Sequence, residues 1–208
     1  MIEAVLPDGR RSVAAGVILE LERGVASIAT ARHAVDGGFP GLATSEADAP
    51  IELAVVGRDD ARLPLAVEWR APHGIDLAIV SAPLTDGALR AAPCDRNVAP
   101  HAGDEVFAVG NPGSVASRHV AGILTHVRDQ QKGGYEFQML QSNAALTPGY
   151  SGGGLYDAHG RLIGINAMGG LPLGDQRFPN GVGLAITLRT LLELAPSRIR
   201  CDFGNANG

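Results

Sequence analysis

The chain has 208 residues, a formal charge of −5 and a sequence pI near 5.6, with 45% hydrophobic and 19% charged residues. That composition is too apolar for intrinsic disorder, and no run approaches the roughly 18 to 20 apolar residues that a membrane helix needs. No cluster of Lys or Arg is interleaved with aromatics, so neither a nucleic acid nor a membrane is expected as a partner.

The N-terminal stretch lacks a continuous apolar segment and carries Asp8, Arg10 and Arg11 where a signal peptide would need one. A cytoplasmic location is expected if the chain is full length, and a periplasmic or secreted one if it is an excised mature domain. Glycine occurs 28 times and proline 13 times, at short intervals between runs of Val, Ile, Leu and Ala. Such punctuation marks an all-β sandwich or barrel. In chain order, strands are expected over 2–6, 13–21 and 26–30, then a turn of helix over 32–36 ending at Gly37 and Gly38, then strands over 51–58, 63–68 and 77–80. Residues 41–50 read as an exposed loop. Prolines and polar residues interrupt the pattern over 89–104, the best internal boundary. Strands follow over 105–109, 120–127, 135–141, 154–156, 162–167 and 182–185, with a second exposed loop over 169–181. Leu188, Leu191, Leu192 and Leu194 then give a helical spacing behind Thr187 as its cap, with Pro196 beyond.

Two halves of roughly six strands fit a pair of small barrels with any shared site in the crevice between them. The fold class is therefore all-β: two six-stranded antiparallel β-barrels packed together, with a short C-terminal helix. The expected organisation is an N-terminal barrel over 1–92, a linker over 93–104, a C-terminal barrel over 105–187, and a helix and tail over 188–208. Cys94 and Cys201 are too few for a disulfide framework and not spaced for a metal; two reduced thiols are the first expectation and a single bridge between them the alternative, with neither metal nor cofactor expected. His73, His101, His119, His126 and His159 are scattered without ligand spacing and read as surface or structural. His73 is singled out among them because it stands three residues before Asp76. The Asn111–Pro112–Gly113 turn reads as structural, and Arg32 as exposed.

The chemistry concentrates in "TPGYSGGGLYD", where Ser151 sits in a G-x-S-x-G pattern. A nucleophile elbow would need a helix after the serine and partners in the order Ser, Asp, His. Three consecutive glycines follow Ser151 instead, each disfavouring a helix by about 1 kcal/mol, and the only downstream histidine is His159. The reverse order is present: His33 in "SIATARHAV", where a strand ends, and Asp76 at the start of the apolar "DLAIV". A hydroxyl needs a base to take its proton, an imidazole does so near neutral pH, and a carboxylate orients that imidazole. The glycines would let the amides of Gly149 and Ser151 form an oxyanion hole.

"TARHAV", "DLAIV", "VGNPG", "AALTPGYSGGGLYD", "GRLIGINA" and "GVGLAIT" occur in the order and character of a trypsin-like serine protease, and the chain most resembles the HtrA (Deg) branch from about Ala15 to Thr187. The resemblance implies a double barrel whose first half carries His33, the general base, and Asp76, its orienter, and whose second half carries the nucleophile Ser151. It also implies a primary specificity pocket with Ala145 at its base, Leu146 beside it, and Asn166, Ala167 and Met168 as a wall. With no charge there, cleavage of polypeptide substrates after small or medium aliphatic residues is expected. Two positions depart from the pattern. Tyr150 stands where digestive relatives have an aspartate that receives a new N-terminus and HtrA-type enzymes usually have asparagine, and Gly154 stands where the latter have proline. With about twenty residues after Thr187, no PDZ-type module is expected there. The alternative function is a silent or latent protease-like domain that binds peptides or protein partners.

Overall fold

The computed structural model describes residues 1–37, 50, 52–57, 60–84, 87–113, 116–167, 182–195 and 199. The first half contributes β1 (Ile2–Val5), β2 (Arg11–Ala14), β3 (Val17–Glu22), β4 (Val25–Thr30), β5 (Glu52–Val56), β6 (Arg62–Pro64), β7 (Ala66–Arg70) and β8 (Ala78–Ala82). A helical turn, α1 (His33–Asp36), follows β4, and a 3-10 turn, Pro72–Gly74, precedes β8. The second half contributes β9 (Glu105–Gly110), β10 (Arg118–Lys132), β11 (Tyr135–Ser142), β12 (Gly154–Asp157), β13 (Leu162–Ala167), β14 (Gly183–Thr187) and the helix α2 (Leu188–Leu194). The Thr187 hydroxyl caps α2 by accepting the Thr190 amide at 3.2 Å.

The second half closes into an antiparallel barrel in the order β10-β11-β14-β13-β12-β9. Strands β13 and β14 serve two cores at once: in β14 successive side chains point to opposite faces, and in β13 the register shift against β12 leaves Ile163 unpaired and out of step with Ile165. Ile163 and Ala185 fill the barrel with Val106, Leu124, Leu140 and Leu155. Leu162, Ile165 and Ile186 face the other way and join Val17, Leu19, Leu77 and Ile79 of the first half in one continuous cluster. Each such side chain contributes about 1.5–3 kcal/mol when fully buried, so the two halves are joined by a core and not by a hinge.

Of the two expected barrels the structure shows the second closed; a closed barrel in the first half is not shown among the described residues. Among the described residues its eight strands form two four-stranded sheets, β2-β1-β5-β6 and β3-β4-β8-β7. The expected strand over 13–21 is cut at Ala15 and Gly16. Ala15 donates its amide to the Ser151 carbonyl at 2.8 Å and not to a sheet neighbour, and a Cβ at Gly16 would lie 2.6 Å from Ile28 Cγ2. The expected strand over 63–68 splits at Leu65 into β6 and β7, which pair in different sheets. β10 errs in the other direction. It continues to Lys132, where exposed polar side chains conceal the strand from any apolar alternation, and a two-residue loop with Gly133 and Gly134 at φ 58° and 82° turns it into β11.

Of the two states open to Cys94, the structure has the alternative one: it is disulfide-bonded and not a reduced thiol. It is buried in the cluster between the halves, and its backbone pairs with Leu162 of β13 in an isolated parallel bridge. Cys201, Pro196, Met168, Gly38 and the loops expected over 41–49 and 169–181 lie outside the described residues.

Candidate active site

The histidine is placed by a turn of helix too short to be stable by itself. Arg32 holds it, donating from Nε to Asp36 at 2.6 Å and from a terminal nitrogen to the Ala71 carbonyl at 2.8 Å, while Arg70 donates to the other Asp36 oxygen at 2.7 Å. Arg70 and Ala71 lead into the turn that carries Asp76, so one network fixes both supports. Arg32 is thus half-buried and structural, where the sequence reading made it exposed. His33 Nδ1 lies 2.8 and 3.1 Å from the two Asp76 carboxylate oxygens, and the His33 backbone N–H donates to the same group at 2.9 Å. The two side chains are only 10% and 2% exposed. A carboxylate in this position holds the ring proton on Nδ1 and leaves Nε2 as the acceptor.

The serine sits on a loop that glycines make possible. Thr147, Pro148, Gly149 and Tyr150 form a turn closed by Tyr150 N–H to Thr147 O at 3.1 Å, with Gly149 at φ +99°. Proline second and a positive-φ glycine third define a type II turn. A Cβ at Gly149 would lie 2.5 Å from the Asn111 carbonyl oxygen, and one at Gly152 would overlap Thr30 and Ala15. Both sites therefore exclude every other residue, and the loop lies directly against the end of β4, next to α1.

Hydrogen bonds account for most of the loop. Tyr150 donates to Thr147, Gly152 to Asn166 at 2.7 Å, Gly153 to Tyr150, and Ser151 and Gly149 use their carbonyls to accept from Ala15 and Asn111. Three polar groups are left over. Among the described residues the amides of Gly149 and Ser151 donate to nothing, and the buried Ser151 hydroxyl has no partner. Unpaired polar groups in a buried turn each require a reason, and here they surround one residue that is 3% exposed.

The remaining residues singled out from sequence fall around this loop. Tyr150 packs its side chain into the barrel core with Leu124 and Leu140, and Gly110 makes room for it, since a Cβ there would lie 2.8 Å from Tyr150 Cδ1. The substituted tyrosine therefore anchors the serine loop from beneath. Gly154 has an equally local cause: a Cβ there would be 2.6 Å from Tyr156 Cζ. Burial pushes that phenol up to about 12, so it stays neutral. Ala145 is exposed, Leu146 is half-buried against the barrel core, and Ala167 is buried. Asn166 is fully buried, its side-chain amide donating to Gly154 O at 3.1 Å and Val109 O at 3.4 Å while its backbone exchanges bonds with Gly152 and Gly153. Sequence reasoning missed the bracing roles of Ala15, Thr30 and Asn111. Only the "VGNPG" turn carried a signal for them.

Barrel and buried His–Asp pair together point to one class of protein, the trypsin-like peptidases. The family model described as the trypsin-like peptidase domain matches residues 14–165, and the chain belongs to this family. It is similar to the serine endoprotease DegS of Escherichia coli (strain K12), 28% identical over 193 residues that cover 91% of this chain and 49% of DegS. It is 31% identical to the putative serine protease HhoA of Synechocystis over 165 residues, 77% of this chain and 37% of HhoA. Among solved structures it resembles the HtrA-type protease AlgW with a decapeptide, at a TM-score of 0.67 and 29% identity, covering 88% of this chain and 51% of that one. The chain thus spans about half the length of DegS and AlgW.

Proposed function

We propose that the chain is a serine endopeptidase in which Ser151 attacks the scissile carbonyl, His33 takes and returns the proton, and Asp76 orients the imidazole. The amides of Gly149 and Ser151 bind the oxyanion of the tetrahedral intermediate, and an acyl-enzyme on Ser151 is then released by water. One observation carries this reading: the polar groups left without partners in the serine loop are the ones this chemistry uses. On this reading the first half, residues 1–92, acts as the partner barrel of the resemblance, and the site lies where it meets residues 105–187. Polypeptides are the substrates, in keeping with the decapeptide named in the AlgW structure. Ala145 and Leu146 add no charge to the primary pocket, which favours small or medium aliphatic residues before the cleaved bond. The disulfide at Cys94 favours an oxidising compartment, hence the periplasmic or secreted alternative.

A fluorophosphonate probe should label the wild-type protein at Ser151, and digestion of a peptide library should give cleavage mainly after Val, Ala or Leu. Dominant cleavage after Lys or Arg would sink the pocket assignment. A second reading, a latent form of the same domain, is favoured by the seclusion of the Ser151 hydroxyl, which makes no hydrogen bond to His33. Failure to label under conditions that label an ordinary serine protease would select it.

A further inference from the structure

We propose that the tip of the β10–β11 hairpin is a positioning device for the His33–Asp76 pair, acting through the Pro72–Gly74 turn. The inference rests on the protease reading for its consequence, and on the following contacts for its geometry.

The turn ends at Gly74, directly before Ile75 and two positions before Asp76, and is poorly stabilised by its own conformation. His73 is left-handed, at φ 52° and ψ 27°, and Gly74 follows at φ +70°. A non-glycine residue held there needs contacts from outside to keep it in place. The hairpin tip supplies three. Gly133 lies flat against the His73 ring, so close that any Cβ would overlap the imidazole. Lys132 donates from Nζ to the Gly74 carbonyl at 3.1 Å. The Tyr135 ring stands 5.3 Å from the His73 ring, tilted by 34°.

Barrel closure does not account for this arm. Beyond Met139, which still pairs with β14, four further register pairs, from Asp129↔Gln138 to Lys132↔Tyr135, carry it outward, and most of its β10 side chains are exposed. What it reaches is the turn at the neck of Asp76, where Ile75 donates back to Pro72, and Ala71 and Leu77 close the loop at 2.9 Å. Asp76 has little freedom to move independently of that loop. Because Ser151 belongs to the second half and Asp76 to the first, the clasp also ties the two parts of the reacting group, alongside the bond from Ala15 to Ser151. Lys132, Gly133, Tyr135 and His73 are positioning residues on this view and touch no reacting atom.

The test compares the full chain with Gly133→Val, Lys132→Met, and the double variant His73→Gly/Gly133→Val. Proton NMR follows the ring proton between His33 Nδ1 and Asp76, and peptide hydrolysis is resolved into kcat and KM. Gly133→Val should shift or broaden that proton and lower kcat by about tenfold to a hundredfold with KM nearly constant, the size of effect that a small misplacement produces. Removing the His73 ring in the double variant relieves the overlap but also takes away two of the three contacts, so it should return only part of both. If Gly133→Val does not fold, Lys132→Met decides, with a smaller loss of kcat in the same direction. A folded Gly133→Val, or failing that Lys132→Met, with an unmoved proton and wild-type kcat overturns the clasp. Absence of fluorophosphonate labelling in the wild type would instead overturn the protease reading, and the NMR comparison would still decide whether the hairpin positions the pair.

Discussion

Replacing Ser151 with alanine should abolish peptide hydrolysis and at the same time make the protein more stable. The two effects share one cause. The Ser151 hydroxyl is buried with no hydrogen-bond partner among the described residues, and a buried polar group left unsatisfied costs about 1–3 kcal/mol. Ser151→Ala removes that oxygen, keeps the Cβ and disturbs none of the backbone bonds that hold the loop. A net gain near 1 kcal/mol would raise the melting temperature by about 2–4 °C for a chain of this size. Without a nucleophile, turnover should fall on the order of a millionfold. Differential scanning calorimetry and a peptide assay on one preparation check both halves. A variant that melts lower than wild type would show that the hydroxyl has a partner in solution, and retained turnover would remove Ser151 from its role.

This opposition of stability and activity recurs throughout the loop. Gly149 and Gly152 occupy left-handed conformations with no room for a side chain, at an entropic cost that only a required backbone shape explains. The shape is held from several directions: Tyr150 from the barrel core, Asn166 from β13, Asn111 from the turn after β9, and Ala15 from the break between β2 and β3. With so many fixed points, the two amides that donate to nothing among the described residues are held in place, which on the proposed reading sets them before a substrate arrives. Preorganised donors of this kind need no rearrangement when charge develops.

The sequence made some of this legible and hid the rest for physical reasons. His33, Asp76 and Ser151 stand out by pattern: His33 follows an apolar strand, Asp76 precedes one, and the glycines after Ser151 exclude a helix. β13 and the cap of α2 could be found because burial writes a hydrophobic pattern. The two-sheet arrangement of the first half could not. Val13 to Leu21 reads as one apolar run, and what breaks it is tertiary: the close approach of Gly16 to Ile28 and the diversion of the Ala15 amide to Ser151, a contact more than a hundred residues away in the chain. The outer part of β10 was hidden because it is stabilised by pairing and by its seat on His73 and not by apolar burial. Tyr150 shows the reverse case: the sequence marks it only as a departure from the family pattern, and its side chain's direction, into the barrel core, is a tertiary fact.

Asp76→Asn should be the most informative single change, since it alters chemistry with almost no change of shape. Asp76 accepts two donors, His33 Nδ1–H at 2.8 Å and the His33 backbone N–H at 2.9 Å. An asparagine can still accept the backbone bond through its carbonyl oxygen, which leaves its NH2 group facing Nδ1. That arrangement requires Nδ1 to be the acceptor, so the ring proton moves to Nε2. A histidine protonated there points a donor at Ser151 and cannot act as its base. The expected loss in kcat is about ten-thousandfold with KM little changed, the size seen when a triad carboxylate is replaced and the tautomer inverted. The fluorophosphonate reaction should slow in parallel, because it needs the same base, and the melting temperature should move little compared with the effect on rate. Removing the side chain altogether, in Asp76→Ala, should behave differently: both His33 donors lose their acceptor in a site that is nearly closed to water, so stability falls as well as rate. If Asp76→Asn kept more than a tenth of wild-type turnover, His33 would not depend on Asp76 for its tautomer, and the base would have to be sought elsewhere.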